Sequence, residues 1–437
     1  MPIRVFIPEA IPSRNKGEVG IFFGIRESLA RLGEVKIALA SHCPEADRAE
    51  YGPEVELIGG TVPTARGTIG KLIQSAGILA RQWCFAAAFG WFGKKALAWF
   101  RAPLWRVLAE ADLILFGHDN VLVGRFPLQL ALVPMLAKRL GIPCVVYAGT
   151  VGPYAGWGTR WLTRRLLKAV DLVTLREKQS VANVAGLALG GVPVRAVADP
   201  AFLMPPCAPE RVAEILREQG IPAGREMVGA TITFEMARRY ASAKGLDEKR
   251  GTETYFRARA ALLDGLVERH NVVVAAIAHC VEAESRDDGA ANRELRRHMR
   301  RKDSVFLVGG AYRAQELKGV IGQCVLLIGE RTHSMIAATS LGVATVGVSS
   351  AITGSKTKGI LGEEMGILEW LVDVETMDFG AVADVVERAW RRRADISAGL
   401  RGRVEAVRAK SRLPAKLIGE RFPELAKKAG RPNDDAA

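Results

Sequence analysis

The chain is poor in cysteine and comparatively poor in acidic residues, and each shortage excludes a class of protein. Its 437 residues include six cysteines. None of these is in a CxxC pair, so we expect neither a disulfide framework nor a metal site. Asp and Glu number 47 against 61 Lys and Arg, which gives a net charge of +14. This excess favours anionic partners such as phosphorylated metabolites, nucleic acid or acidic lipid surfaces.

Two further absences narrow these choices. The basic stretch 387–412 is accompanied by no aromatic platform or RNA-binding motif, so it is interpreted as a solvated helix face and no nucleic-acid partner is expected. The first residues, MPIRVFIPEA, lack the basic and apolar regions of a secretory signal. Together with the cysteine usage, this predicts a cytoplasmic location.

Uninterrupted apolar runs of membrane-spanning length are also missing. The most aromatic segment, residues 71–107, contains four of the eight tryptophans, but Arg81 interrupts it. Its apolar part falls short of the roughly 20 residues that a spanning helix needs. Mixed Trp, Phe, Lys and Arg are typical of a helix lying in a membrane interface, and we expect such peripheral contact. Helices covering a domain cleft, or a true span, are the alternative interpretations.

What the sequence does contain is an alternation of short β-branched runs with longer helical stretches, which indicates parallel α/β sheets. The length exceeds one comfortable core, and four prolines in 200–210 interrupt the pattern. We therefore predict two Rossmann-like, doubly wound α/β domains, 1–205 and 206–437, facing each other across a cleft. The predicted strands are 3–8, 35–41, 111–117, 143–149, 170–175, 194–199, 227–234, 271–279, 304–310, 324–330 and 343–349.

The stretch GERTHSMIAATSLG places charged residues between a strand and a helix. The preceding apolar run CVLLIG predicts a buried strand, and Thr332 is the predicted N-cap of the helix that follows. A helix start presents unpaired N–H groups and the positive end of its dipole, so it binds anions. Arg331 and His333 flank the predicted cap, at the strand end where such folds collect ligands. They therefore indicate a small-anion site.

Several segments, in this order, resemble the polysaccharide pyruvyl transferase family. The Arg-x-His helix start followed by a Leu-Gly turn is the most specific of these. The similar segments are NKGEVGIFFGIRESL (15–29), LVTLREKQSVANVAGLALGG (172–191), AVADPAFLM (196–204), AIAHCVEAESRDD (276–288) and ELKGVIGQCVLLIGERTHSMIAATSLGVATVGV (316–348). The chain departs from the family pattern at Glu18, where Asp is usual, at FGHDN (116–120) and in 349–361.

The resemblance implies a fold like that of GT-B glycosyltransferases, with the acceptor on the N-terminal domain and the donor on the C-terminal domain. It also implies transfer of the pyruvyl (enolpyruvyl) group of phosphoenolpyruvate to a sugar, with a pyruvate ketal formed and phosphate released. The acceptor would be a cell-surface polysaccharide or its lipid-linked precursor, met at the inner face of the cell membrane. No cofactor is implied.

The resemblance and the strand-end positions together give the candidate site. His333 is the candidate acid that protonates the donor's methylene carbon, and Glu18 or Asp199 is the candidate base for the hydroxyl protons. The candidate substrate-binding residues are Arg331, Arg176, His279, Asn15 and Lys356. Arginines suit a donor that carries both carboxylate and phosphate.

Other interpretations stay open at this point. A GT-B glycosyltransferase using a nucleotide sugar would share the fold. A non-catalytic scaffold on the membrane surface would use residues 71–107 instead. Arg176 could form an ion pair with Glu177, and Asp199 could be a turn former before Pro200.

Overall fold

The computed structural model describes residues 1–59, 68–116, 122–124, 133–281, 287–309, 312–350 and 356–429. Most of the FGHDN departure and residues 351–355 of the last departure lie outside these ranges. Everything below concerns the described residues.

The chain forms two compact units, and neither is continuous in sequence. Unit 1 consists of Met1–Ser13, Ile25–Pro200 and the chain from Lys410, and unit 2 consists of Arg14–Gly24 and Ala201–Ala409. The predicted ranges 1–205 and 206–437 are continuous, so they assign the first helix and the C-terminal residues differently from these units.

Hydrogen bonds account for both interruptions. Lys428 Nζ lies 2.6 Å from Asp112 Oδ1 within unit 1. Also within unit 1, the Ser411 hydroxyl donates to the carbonyl oxygen of Asp199 at 2.9 Å. Within unit 2, the backbone N–H of Lys16 donates to the carbonyl oxygen of His279 at 3.0 Å. These partners are far apart in sequence, so local patterns carry no record of them.

Unit 1 is built on a parallel sheet with helices between its strands. Its strands are β1 (Ile3–Ile7), β2 (Val35–Ala40), β3 (Glu56–Ile58), β4 (Leu113–Phe116), β5 (Leu122–Gly124), β6 (Cys144–Gly149), β7 (Val151–Tyr154), β8 (Leu172–Leu175) and β9 (Val194–Ala196). Among the described residues, seven of them form a sheet in the order β3-β2-β1-β4-β6-β8-β9, while β5 pairs only with β7. The first seven helices are α1 (Lys16–Leu29), α2 (Pro44–Tyr51), α3 (Thr68–Phe92), α4 (Pro103–Glu110), α5 (Val133–Leu140), α6 (Trp157–Leu167) and α7 (Lys178–Ala185).

Unit 2 repeats this plan with six parallel strands. They are β10 (Met227–Thr231), β11 (Val273–Ile277), β12 (Val305–Val308), β13 (Cys324–Gly329), β14 (Ala344–Ser349) and β15 (Leu371–Asp373). Within the described part of the chain, their order is β12-β11-β10-β13-β14-β15. The remaining helices are α8 (Pro209–Glu218), α9 (Phe234–Ala243), α10 (Glu248–His270), α11 (Asp288–His298), α12 (Ala314–Ile321), α13 (Thr332–Ser340), α14 (Phe379–Arg391), α15 (Arg393–Arg421) and α16 (Pro423–Lys428).

Both strand orders confirm the predicted doubly wound α/β fold. In unit 2 the winding reverses between β10 and β13, and doubly wound folds bind ligands beyond the strand ends at such a reversal. Glu330 and Arg331 follow β13 directly, so the sheet topology places the predicted anion site at this point.

Each of the eleven predicted strands contains an observed one, whereas four short strands were not predicted. These are ELI (β3), LVG (β5), VGPY (β7) and LVD (β15). Runs of three or four residues are too short to show a periodicity, and Gly and Pro in a run argue against a strand.

The aromatic segment 71–107 forms most of α3, a 3₁₀-helix at Gly93–Ala98 and part of α4. Phe85 of α3 is fully buried, and its ring centroid lies 4.6 Å from that of Trp105 and 5.2 Å from that of Phe100. One side of α3 therefore belongs to the core of unit 1. No helix in the described residues is both long and apolar enough to cross a membrane.

The two faces of α3 predict opposite effects of truncation. Phe85→Ala should lower the free energy of unfolding by about 3–5 kcal/mol, because it opens a cavity in a packed aromatic cluster. Trp91→Ala on the same helix should change it by less than about 0.5 kcal/mol, because Trp91 is 86% exposed. Urea denaturation measures both, and equal losses would contradict this description of the helix.

Candidate functional site

The candidate site in unit 2 is organised by an ion pair between Arg331 and Asp288. Arg331 Nη2 lies 2.7 Å from Asp288 Oδ1, and Arg331 Nε lies 3.2 Å from Asp288 Oδ2. The same carboxylate accepts hydrogen bonds from the backbone N–H groups of His279 and Cys280 at 3.1 and 2.8 Å. One carboxylate therefore joins the end of β11, the start of α11 and the start of α13.

The electrostatics of this pair follow from its burial. Burial raises the pKa of Asp288, and the Arg331 guanidinium opposes that rise. For Arg331, burial disfavours the charged form, but the Asp288 carboxylate outweighs it and the pKa is raised. Arg331 is therefore a permanent cation whose Nε and Nη2 are fixed on Asp288. Its Nη1 lies 3.8 Å from Glu235 Oε2, beyond hydrogen-bond distance.

Helix α13 begins one residue earlier than predicted. Arg331, with φ −102° and ψ 121°, is the N-cap residue and Thr332 is the first helical residue, so the prediction of Thr332 as N-cap is wrong. The Ser334 hydroxyl donates to the carbonyl oxygen of Arg331 at 2.8 Å. The shift leaves His333 in the first turn, where backbone N–H groups lack helical partners.

His333 lies against the first turn of α1. A Cβ atom built on Gly17 would stand only 2.6 Å from His333 Nδ1 and 2.9 Å from His333 Cβ. The absence of a side chain at position 17 is therefore what lets the imidazole occupy its place.

Asn15 and Glu18 form the cap of α1. Asn15 Oδ1 accepts a hydrogen bond from the Gly17 N–H at 3.2 Å, and Asn15 Nδ2 donates to Glu18 Oε1 at 2.8 Å. The exchange resembles a capping box, in which a helix start and its fourth residue satisfy each other. Both residues thus have a structural task beside their predicted functional ones.

His279 is buried at the end of β11 and stays neutral at ordinary pH. Burial is the main cause that lowers the pKa of His279 to about 3, and the positive neighbours His333, Arg331 and Lys16 lower it further. The unit 2 candidates His279, Arg331 and His333 therefore lie close enough to influence one another.

Behind Arg331, Glu330 is the centre of a second buried network. Its carboxylate accepts hydrogen bonds from the Thr233 N–H at 2.7 Å and the Tyr255 hydroxyl at 2.8 Å. Arg259 Nε lies 3.3 Å from Glu330 Oε1. Burial raises the pKa of Glu330, and Arg259 opposes that rise. This network fixes the backbone that immediately precedes the site.

Lys356 is the first described residue after position 350. The hydroxyl oxygen of the next residue, Thr357, lies 3.0 Å from that of Thr332 at the start of α13. The structure therefore places Lys356 one residue from a direct contact with the helix that carries His333.

The other two candidates, Arg176 and Asp199, belong to unit 1 and bind each other. Arg176 Nη1 lies 2.7 Å from Asp199 Oδ2, with both side chains 0% exposed. Arg176 Nε and Nη2 donate to Thr150 Oγ1 at 3.1 and 3.0 Å. Glu177 Oε2 lies 3.8 Å from Arg176 Nε. Within unit 1 this is a buried polar cluster, and the functional roles of both residues stay predictions.

Sequence reasoning missed Asp288 as the partner of Arg331, and it missed Gly17 and Glu330. Asp288 had been noticed as an acid following His279, but such acids equally suggest a metal. Among the described residues, no group of three or more His, Cys, Asp and Glu side chains is placed to hold a metal ion. An acid closing the apolar run CVLLIGE was the available signal for Glu330.

Comparisons with known proteins bear on this arrangement. A family model described as polysaccharide pyruvyl transferase matches residues 31–351. The amylovoran biosynthesis protein AmsJ of Erwinia amylovora is 23% identical over 301 residues, which cover 67% of this chain and 69% of AmsJ.

Solved structures agree in fold. A sucrose-phosphate synthase from Thermosynechococcus elongatus is similar with a TM-score of 0.54 and 13% identity, covering 97% of this chain and 100% of that one. A UDP-N-acetylglucosamine 2-epimerase is similar with a TM-score of 0.56 and 12% identity, covering 96% of each chain. At these identities the likeness shows the GT-B-like fold alone.

The contact between α1 and His333 gives the first prediction for the site. Gly17→Ala should lower the free energy of unfolding by about 1–3 kcal/mol, because the added methyl group overlaps the imidazole. Gly20→Ala is the matched control on α1, since its Cβ would lie 3.6 Å from Ala201, an ordinary contact. Chemical denaturation should show it neutral or more stable by about 0.5–1 kcal/mol. Equal behaviour of the two variants would contradict the packing.

The second prediction concerns pH. His279 has a pKa of about 3 in the folded protein, against about 6.5 when unfolded. The unfolded chain is therefore protonated first, so stability that is present above pH 6.5 is lost as the pH falls towards 3.

His279→Gln should remove this loss. Between pH 6 and 5 the unfolding free energy of the native protein should fall more steeply than that of the variant, by up to about 1.4 kcal/mol per pH unit. Urea titrations at several pH values measure the two slopes, and parallel slopes would show that His279 is not held neutral.

Proposed function

The chain belongs to the polysaccharide pyruvyl transferase family, and from that premise we propose that its donor is phosphoenolpyruvate and its acceptor a sugar of an exopolysaccharide or its lipid-linked precursor. The observation that carries the proposal is the Arg331–Asp288 pair, which fixes a cationic fork at the strand-order reversal of unit 2. The relation to a biosynthesis protein for amylovoran supports a place in exopolysaccharide synthesis. The reaction is proposed to take place in the cytoplasm, with no cofactor and no nucleic acid involved.

Donor binding follows from the geometry around Arg331. With Nε and Nη2 held by Asp288, the guanidinium loses little rotamer freedom when Nη1 meets an anion. The first turn of α13 adds unpaired backbone N–H groups and the positive end of the helix dipole. We assign the donor phosphate to Arg331 and this helix start, with Lys356 as a further cation from the adjoining segment.

Catalysis begins at the donor's methylene carbon. His333 gives a proton to C3, which becomes a methyl group, and C2 becomes electrophilic. One sugar hydroxyl forms a bond to C2 and gives its proton to a base, for which Glu18 and Asp199 remain the candidates. The second hydroxyl then forms the other C2–O bond, the bond from C2 to the phosphate oxygen breaks, and phosphate leaves with that hydroxyl's proton.

The two histidines divide the work in this proposal. His279, with its pKa of about 3, is neutral and serves as a hydrogen-bonding group for donor or acceptor. A bound phosphate dianion favours the imidazolium form of a nearby histidine, so donor binding itself charges His333. Asn15, which caps α1 beside these groups, is assigned to substrate binding.

The main alternative donor is a nucleotide sugar, because the similar solved structures include enzymes of nucleotide-sugar chemistry. A nucleotide needs a surface for its base and a carboxylate for its ribose hydroxyls. The carboxylate beside Arg331, that of Asp288, is already occupied by the guanidinium and two backbone N–H groups. This occupation favours the smaller donor over the nucleotide.

Thermal denaturation with added ligands tests the donor. Phosphoenolpyruvate should raise the melting temperature of the native protein, since a ligand at one hundred times its Kd stabilises by about 2.7 kcal/mol. The double variant Arg331→Gln with Asp288→Asn should lose this shift while staying folded, because it removes both charges of the buried pair together. Arg257→Gln, at an arginine that is 68% exposed, is the matched control and should keep the shift.

The same preparations test the chemistry. His333→Gln should keep the ligand-induced shift but release no phosphate when lipid-linked saccharides from the host strain are supplied. A melting-temperature shift with nucleotide sugars and none with phosphoenolpyruvate would overturn the proposed donor. Unchanged ketal content of the polymer after His333→Gln would favour a non-catalytic scaffold.

A further inference from the structure

A second ligand site lies in unit 1, away from the residues used above. Three helices, α3, α5 and α6, enclose a surface pocket of about 490 Å³. Trp83, Ala86, Met135 and Leu136 supply apolar lining. Such a pocket in a charged surface calls for an apolar ligand or an apolar part of one.

Four cations stand on the same pocket. Lys138 and Arg139 come from the last turn of α5, Arg165 from the last turn of α6, and Lys168 directly follows α6. All four side chains are exposed, and none forms an ion pair with any other residue that the structure describes. The pocket thus combines an apolar lining with unneutralised positive charge.

The sequence keeps this region free of negative charge. No Asp or Glu occurs between Glu56 and Glu110, or between Asp119 and Asp171. These two stretches contain α3, α5 and α6 in full. An exposed cationic surface on an ordinary soluble protein is usually interspersed with acids, so two such stretches meeting at one pocket indicate an anionic partner.

Large exposed hydrophobic side chains surround the pocket. Helical spacing places Ile69, Leu72, Ile73, Trp83 and Trp91 on one face of α3, opposite the buried Phe85. Each of these five is at least half exposed. Exposed aliphatic and indole groups with Lys and Arg between them are the pattern of interfacial helices.

Helix α6 adds two more exposed tryptophans. Trp157 is 85% exposed and Trp161 is 54% exposed. The Arg165 guanidinium carbon lies 5.7 Å from the centroid of the Trp161 ring, so an indole and a pocket cation are presented together. Tryptophan concentrates at the headgroup level of membranes, where one side of the ring is apolar and the other wet.

A polar group within the pocket points to the same ligand. Gln82 is 7% exposed and lines the pocket, and its Oε1 has no hydrogen-bond partner among the described residues. A hydroxyl-bearing headgroup offers the donor that this oxygen lacks, whereas a bare hydrocarbon does not.

We propose that the pocket between α3, α5 and α6 binds an anionic phospholipid of a membrane surface. The lipid phosphate is held by Lys138, Arg139, Arg165 and Lys168, and the exposed faces of α3 and α6 lie in the interface. Nucleic acid would use the cations but would leave Ile69, Leu72 and Ile73 in water. The proposal concerns unit 1 and does not depend on the identity of the donor in unit 2.

Vesicle flotation tests the proposal with the full chain. Vesicles of phosphatidylcholine alone should recover little protein, and vesicles in which a third of the lipid is phosphatidylglycerol should recover most of it. Changing Lys138, Arg139, Arg165 and Lys168 to Gln should weaken binding to the anionic vesicles by roughly tenfold or more.

The matched control changes four exposed cations elsewhere in unit 1, Lys36, Arg195, Arg421 and Lys427, to Gln. It has the same net charge as the first variant and should lose no more than about twofold. A third variant, Trp83→Ser with Trp161→Ser, should also lose binding, because it removes the apolar contact and keeps every charge.

Three outcomes would overturn the proposal. These are an absence of binding to anionic vesicles, equal losses in the two charge variants, and binding of a labelled RNA through the four cations with vesicle binding unaffected. The phosphoenolpyruvate-induced melting shift should be unchanged in all these variants. It therefore shows that they are folded and separates failure of this site from failure of the proposed donor.

Discussion

The buried Asp288 carboxylate is the constraint on which the candidate site depends. It receives two backbone N–H groups from the end of β11 and the fork of Arg331 from the start of α13. A carboxylate so deeply buried is stable only while these donors are in place. The cation and the strand end are therefore fixed by one group, and neither can move without exposing the other to an unpaired charge.

The position of that group follows from sheet topology. β10 and β13 are neighbours because the strand order of unit 2 reverses between them, and the segments beyond both strands meet where no crossover connection covers them. The family and the GT-B-like fold are shown by the comparisons. The donor, the acceptor and the membrane lipid are proposals of this work, each resting on separate residues.

The sequence alone was sufficient for the fold class, the eleven longer strands and the location of Arg331 and His333 at a strand end. These depend on local patterns of apolar and β-branched residues. The sequence was insufficient for Asp288, because its partner Arg331 lies 43 positions away and an isolated acid has many uses. It was likewise insufficient for Gly17, whose role exists only because α1 lies beside α13 in the folded unit.

The Glu330 network has a consequence for how residues near the site respond to change. Glu330 faces into the core, where it holds Thr233 and Tyr255, while the next residue, Arg331, faces the opposite way towards Asp288. Adjacent positions on one backbone thus divide anchoring and recognition between them. A chemically conservative exchange at the anchoring position would misplace an intact guanidinium, so that loss of ligand affinity would trace to a carboxylate that no ligand reaches.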